Sequence, residues 1–248
     1  MVTAVITGSA GGIGRAIAVE LASRGIFVVL AGRTKATLDE VYASVADTPG
    51  NVGSAVKLLD VANETAVDKF FVETQCDVLV NTAAARAVIS PIISTTLADW
   101  QAVMDIDLTG TFLMCRGAAR GMMPQRRGRI INFASYHATG SYPNRSAYAA
   151  AKGGVVSLTQ QLAVELGPHG ITVNCVSPGT VASARSDSFF REDPGARADI
   201  VRHTPLRRLA TPADIASVVT WLAGEESNHV TGQNIVVDGG YTTNLWYH

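Results

Sequence analysis

Three residues stand at a spacing that could do proton chemistry. Tyr148 and Lys152 are separated by Ala149, Ala150 and Ala151, and Ser135 precedes the tyrosine in the same region. Alanine favours helix, and a residue and its fourth neighbour share one helix face, so the Tyr148 phenol and the Lys152 ammonium are expected side by side. An unaided phenol holds its proton too tightly for efficient acid/base work at neutral pH, whereas a neighbouring cation favours the phenolate. Ser135 follows the apolar run 130–134, which reads as a buried strand. Its hydroxyl therefore belongs at a strand's carboxyl end, where open α/β sheets hold their ligands. Together the three groups could meet at one carbonyl oxygen. A tyrosine and a lysine at this spacing also arise on helices without function, so the surrounding pattern decides.

The elements that must position these groups alternate along the chain. Residues 2–7 form a β-rich run, followed at once by Gly8-Ser9-Ala10-Gly11-Gly12-Ile13-Gly14 and a periodic helix over 15–23. Strand, glycine turn and helix in that order suit a phosphate, because glycines let the backbone approach and the helix start offers free N–H groups. Gly8, Ser9, Gly12, Ile13 and Gly14 are the candidate contacts. A second strand over 26–31 ends at Gly32-Arg33-Thr34, where NAD-using folds place an acid for the ribose hydroxyls. Here Gly32 leaves space and Arg33 offers a guanidinium to a 2′-phosphate, with Lys35 close behind.

The pattern continues with a helix over 37–46, a strand over 54–59 with Asp60 and Val61 at its end, and a helix over 64–75. A buried strand over 77–81 then ends in Asn81 and is followed by the small residues Thr82, Ala83, Ala84 and Ala85. A long amphipathic helix over 99–119 carries Asp107. After Ser135 come a helix over 146–166, a strand over 171–176 ending in Ser177, Pro178 and Gly179, a helix over 212–223 and a strand over 234–237. This alternation predicts an α/β fold, a doubly wound parallel seven-stranded sheet flanked by helices (Rossmann fold). Residues 180–202 are polar and poor in periodicity, which predicts an irregular lid beside the site. No linker or repeat interrupts the run, so residues 1–248 read as a single domain.

Composition removes other classes of function. Hydrophobic residues make up 47% of the chain and charged residues 17%, enough to cover a sheet and too apolar for extensive disorder. A net charge of −1 gives no electrostatic case for nucleic acid or an anionic membrane. Cys76, Cys115 and Cys175 are widely spaced in apolar segments, against both a disulfide framework and a metal site. A strand starting at residue 2 leaves no room for a leader, and no apolar run approaches the roughly 18 residues of a membrane span, so a cytoplasmic location is expected.

With these residues in place, the sequence resembles the short-chain dehydrogenase/reductase family, in its single-domain branch, along the whole chain. Thr7-Gly8, Gly12 and Gly14 are similar to the family's cofactor loop, Asp60-Val61 to its adenine contact, Ser135, Tyr148 and Lys152 to its catalytic triad, and Pro178-Gly179 to its nicotinamide-side turn. The resemblance implies hydride transfer between a nicotinamide cofactor and a small or medium carbonyl or secondary alcohol. Tyr148 would be the general acid in reduction and the base in oxidation, and Ser135 would hold the substrate oxygen. Lys152 would bind the nicotinamide ribose and favour the phenolate. Asn81 and Ala83 would border the cofactor, Val181 would offer backbone groups to the carboxamide, and Ser183 a hydroxyl. Arg33 points to NADP(H) as the preferred cofactor, with NAD(H) still usable.

Two positions depart from the family pattern. Ala84 stands where a glycine is usual, and its methyl would crowd a cofactor if the backbone there needed a positive φ. Asp107 stands where the family has an asparagine that orients a water leading to the lysine; a carboxylate accepts but does not donate. The helices over 99–119 and 146–166 resemble the family's dimer-forming pair, and the tail Leu245-Trp246-Tyr247 is apolar, so a homotetramer, or at least a homodimer, is expected. Arg86, His137, Tyr142, Asn144, Arg145 and Arg185 lie in segments that could face a substrate, and a pair of arginines would suit a carboxylate or sulfonate. A 3-oxoacyl-thioester reductase, a nucleotide-binding regulatory protein without turnover, and an isomerase or dehydratase on the same scaffold are the alternatives.

Overall fold

The computed structural model describes residues 1–85, 88–140 and 142–244, excepting the side chains of residues 185, 188, 189, 192 and 194. Its strands are β1 (Thr3–Thr7), β2 (Phe27–Gly32), β3 (Ser54–Leu58), β4 (Val78–Asn81), β5 (Gly128–Phe133), β6 (Ile171–Pro178) and β7 (Asn234–Val237). Its α-helices are α1 (Gly12–Ser23), α2 (Lys35–Ala46), α3 (Glu64–Val72), α4 (Leu97–Met104), α5 (Gly110–Gln125), α6 (Ser146–Leu166), α7 (Ala184–Glu192), α8 (Pro194–His203) and α9 (Pro212–Ala223).

The strands form one sheet in the order β3-β2-β1-β4-β5-β6-β7, with every neighbouring pair parallel. Parallel strands need both faces covered, and successive side chains alternate between faces. In β1, Ala4 and Ile6 pack beneath α1, α2 and α9 with Ile17, Leu21, Leu38 and Ile215. Val5 faces the opposite way, toward α3, α5 and α6 with Phe70, Leu113, Met114 and Ala163. Burying an aliphatic side chain of this size contributes about 1.5–3 kcal/mol, so coverage of both faces is the main favourable term. No described helix is long and apolar enough to cross a membrane.

Parallel register brings Thr7, Asn81, Asn132 and Cys175 abreast near the strands' carboxyl ends. Strand order reverses between β1 and β4, which opens the crevice where such sheets bind ligands. Two segments differ from the sequence expectation. The long helix over 99–119 is three pieces, α4, a π-turn over Asp105–Thr109, and α5. It starts earlier because Thr96 Oγ1 accepts the Asp99 N–H at 3.1 Å. Most of residues 180–202 is not irregular: from Ala184 onward the segment folds into α7 and α8. Their starts are fixed by Ser183 and Ser186 bonding each other's backbone N–H, and by Asp193 Oδ1 accepting from Ala196 with Pro194 in the first turn. Caps rather than an apolar period define these short helices, so a periodicity argument misses them.

Candidate active site

Asn144, at φ 66°, turns the chain into α6, a left-handed conformation that asparagine tolerates. Tyr148 then falls in the first turn of α6 and Lys152 one turn later. Lys152 is 3% exposed, and its Nζ lies 5.6 Å from the centre of the Tyr148 ring. A buried ammonium needs compensation. It comes from the Phe133 carbonyl, which accepts from Nζ at 3.0 Å, and from Asp107 Oδ1 at 3.7 Å. Phe133 ends β5, so the lysine is anchored to the strand that delivers Ser135. Ser135 is buried, and its Oγ accepts the His137 N–H at 3.3 Å, capping a 3-10 turn over Tyr136–Ala138. The fold thus gathers a hydroxyl, a phenol and an ammonium at the carboxyl end of β5.

Asp107 is fully buried in the π-turn, a feature often found where a helix serves a functional site. Its Oδ1 also accepts the Ala85 N–H at 3.1 Å, while Oδ2 is buried with no hydrogen-bond partner among the described residues. The carboxylate therefore bridges the end of β4 to the lysine, which a family asparagine would do without charge.

The glycine loop between β1 and α1 is a cradle that side chains would fill. Gly8 has φ 65°, and a Cβ there would come 2.7 Å from Ala83 Cα; one on Gly14 would come 2.6 Å from the Gly8 carbonyl oxygen. The N-cap residue of α1, Gly11, makes no side-chain cap, so the first N–H groups of the helix remain for an anion. Ile13 sits half-buried in the first turn. These features fit a dinucleotide. Across the crevice, the Gly179 N–H donates to Val237 at 2.9 Å and Val181 bridges to Ala210. That path carries Ser183 back over the loop, its Cβ 3.6 Å from where a Cβ on Gly12 would stand. Pro178, Gly179, Val181 and Ser183 are so brought to the same crevice as Gly12.

Other candidate contacts are distributed around that crevice. Arg33 is exposed just past β2, whereas nearby Lys35 is paired with Asp39 at 2.7 Å and Arg15 donates to Ser44 at 2.5 Å. Asp60 Oδ1 accepts the Ala62 N–H at 3.0 Å, and Val61 is buried against Gly110. Thr7 Oγ1 accepts the Ala83 N–H at 3.3 Å. Ser9 and Asn81 face inward. Ser9 is fully buried with Oγ 3.5 Å from the Ala31 carbonyl, and Asn81 Nδ2 donates to Asn132 at 3.0 Å. Ala84 brings no backbone strain, since the described non-glycine residues with positive φ are Arg126, Asn144 and Arg207.

Around Tyr148 the structure assembles rings that the sequence did not link. The sequence offers His137 and Tyr142 as candidates and does not single out Tyr136 or Tyr241. Tyr136 stacks on His137 at 4.2 Å, and the hydroxyls of Tyr142 and Tyr241 are hydrogen-bonded. Burial pushes Tyr136 up to about 12 against an opposing hydrogen bond from Thr180, and burial with the nearby Arg145 cation pushes His137 down to about 4. Tyr136 could have been suspected from its place beside Ser135, but no local signal connects Tyr241. Burial likewise raises the Cys115 thiol to about 12 and Cys175 to about 11, so these free thiols are poor nucleophiles. Arg86, the Arg185 side chain and Leu245-Trp246-Tyr247 lie outside the described residues.

The chain is similar to known proteins along nearly its whole length. A family profile described as "Enoyl-(Acyl carrier protein) reductase" matches residues 8–242. The chain is 36% identical over 244 residues to a 3-oxoacyl-[acyl-carrier-protein] reductase of Synechocystis sp., spanning 96% of this chain and 95% of that protein. It is 35% identical over 246 residues to 3beta-hydroxysteroid dehydrogenase 1 of Eggerthella lenta, spanning 97% and 93%. Among solved structures, an actinorhodin polyketide ketoreductase with NADPH superposes with a TM-score of 0.91 at 29% identity, covering 97% of each chain.

Proposed function

The chain belongs to the short-chain dehydrogenase/reductase family, NAD(P)-dependent oxidoreductases acting on CH–OH and C=O groups, and from that premise we propose that it interconverts a small or medium ketone and its secondary alcohol with NADP(H). The observation that carries this reading is the buried Lys152 ammonium, 5.6 Å from the Tyr148 ring and anchored at the strand end before Ser135.

In this reading Ser135 Oγ–H donates to the substrate oxygen and fixes it beside the phenol. Tyr148 gives that oxygen its proton in reduction and takes it back in oxidation. Lys152 stabilises the phenolate left behind, an effect strengthened because the ammonium is held away from water, and it holds the ribose hydroxyls of the nicotinamide half. Asp107 keeps Lys152 in place. The bound nicotinamide supplies or accepts the hydride. Gly8, Gly12, Ile13 and Gly14 hold the pyrophosphate. Asp60 and Val61 border the adenine, and Ala83, Pro178, Gly179, Val181 and Ser183 the nicotinamide. Ser9 and Asn81 brace the crevice from beneath. Arg33 selects the 2′-phosphate of NADP(H), with NAD(H) usable at higher concentration.

A 3-oxoacyl thioester is the second reading for the substrate, favoured by the printed name of the Synechocystis relative. A homotetramer, or at least a homodimer, is supported by apolar side chains left exposed on the two candidate interface helices, Phe112 on α5 and Val164 on α6. The three free cysteines suit the reducing cytoplasm. The test is NADPH consumption against a panel of ketones with wild type and Tyr148→Phe. The variant is expected to bind cofactor nearly as well and to lose ~10²–10⁴-fold in turnover. Undiminished turnover in Tyr148→Phe would overturn the mechanism.

A further inference from the structure

The aromatic cluster beside Tyr148 contains a buried ring nitrogen with no hydrogen-bond partner among the described residues. His137 is 8% exposed, and its Nδ1 is buried with no hydrogen-bond partner among the described residues. Such orphaned atoms are rare because an unpaired buried polar group is costly, and in a native protein they call for a partner. The surroundings say where that partner would come from. The His137 backbone N–H is bound to Ser135 Oγ, and its ring meets the Tyr148 ring edge-on at 5.7 Å. Tyr136 stacks on one face of the imidazole, and Tyr142 closes another side at 5.7 Å. The ring is therefore locked beside both groups that handle the reacting oxygen.

The chemistry of the ring narrows the partner. Burial, reinforced by Arg145 and only partly opposed by a hydrogen bond to the Gly140 backbone, keeps the imidazole neutral at physiological pH. A neutral imidazole has one N–H and one lone pair and offers no charge to a carboxylate. A hydroxyl both donates and accepts, so it satisfies Nδ1 in either tautomer.

Resting on the assignment of Ser135 and Tyr148 as the substrate-oxygen pair, we propose that His137 is a specificity-determining residue whose Nδ1 binds a second hydroxyl of the substrate, one or two carbons from the reacting carbon. The preferred substrates are then hydroxy ketones and the corresponding diols.

The test compares initial rates of NADPH oxidation by the full-length protein with butan-2-one, 3-hydroxybutan-2-one, 4-hydroxybutan-2-one and acetoacetate. At least one hydroxy ketone is expected to exceed butan-2-one in kcat/KM by about tenfold or more, the worth of one good hydrogen bond. His137→Phe keeps a flat ring and should bring that ratio close to one; His137→Gln should recover part of it. Equal kcat/KM for butan-2-one and both hydroxy ketones would overturn the proposal, as would an unchanged ratio in His137→Phe. A preference for acetoacetate would overturn it too, by assigning recognition to the Arg145 cation. If His137→Phe fails to fold, the wild-type ratios still decide. Turnover of butan-2-one without a hydroxyl preference fails this inference alone, whereas no turnover of any ketone fails the proposed reaction and this inference with it.

Discussion

Replacing Asp107 by Asn or by Leu separates charge from shape at the floor of the site. Asp107 Oδ1 accepts the Ala85 N–H at 3.1 Å and stands 3.7 Å from Lys152 Nζ, and both ionised side chains are almost wholly buried. Asn keeps a carbonyl oxygen for Ala85 and removes only the charge. Leu removes acceptor and charge together. Losing one partner of a buried pair costs about 3–5 kcal/mol, because the remaining charge stays desolvated. Lys152 retains the Phe133 carbonyl at 3.0 Å, which places Asp107→Leu near the low end, about 3 kcal/mol. Asp107→Asn leaves Lys152 between two oxygen dipoles and should cost on the order of 1 kcal/mol, the net worth of a typical hydrogen bond. Urea unfolding followed by circular dichroism reads the difference. At a slope of ~2–3 kcal/mol/M, 3 kcal/mol moves the midpoint by about 1 M. Turnover measured in parallel should survive in Asp107→Asn and fall steeply in Asp107→Leu, since a displaced Lys152 no longer serves Tyr148. Equal midpoints together with equal turnover in the two variants would refute the idea that Asp107 holds Lys152.

Arg33→Ala should weaken NADPH by roughly ten- to a hundredfold and barely change NADH, because a charge-assisted bond contributes about 1.5–3 kcal/mol and only NADPH has the phosphate; fluorescence titration with both cofactors checks this, and tighter NADH binding by wild type would show that Arg33 is merely a solvated side chain. Gly14→Ala puts a methyl 2.6 Å from the Gly8 carbonyl oxygen, so the loop must open and binding of either cofactor should drop sharply in the same titration; unchanged affinity would mean the loop is not the pyrophosphate cradle. For pH, burial lowers His137 from 6.5 to about 4 in the folded chain. Below the unfolded value only the unfolded chain takes up the proton. The stability present at pH 7 is therefore lost as pH falls from about 6.5 toward about 4, by an amount on the order of 3 kcal/mol. Urea unfolding at pH 7 and pH 4.5 should show a smaller acid loss in His137→Phe than in wild type, and identical losses would refute the burial argument.

By itself the sequence determined the sheet and its motifs, since those rest on neighbours along the chain. Apolar runs such as 130–134, bounded by turn residues, specify strands wherever they land, and their alternation with helices calls for a doubly wound parallel sheet, although the strand order is fixed only in the folded chain. The glycines at 8, 12 and 14 follow from the same local logic, because a tight βα turn with a positive φ at Gly8 admits few other residues. Tyr148 and Lys152 needed only helical geometry to become neighbours. What tertiary structure alone decided are the meetings between distant segments. A π-turn, invisible to a 3.6-residue period, sets Asp107 at Lys152. Packing between the end of β7 and the loop after β5 brings Tyr241 to Tyr142. Sheet register turns Asn81 inward onto Asn132. Burial, which depends on everything packed around a side chain, leaves His137 neutral beside the phenol, its Nδ1 without a hydrogen-bond partner among the described residues. Residue type supplies the chemistry of each of these groups, but desolvation and register are properties of the folded whole, and only they establish which partner each group meets.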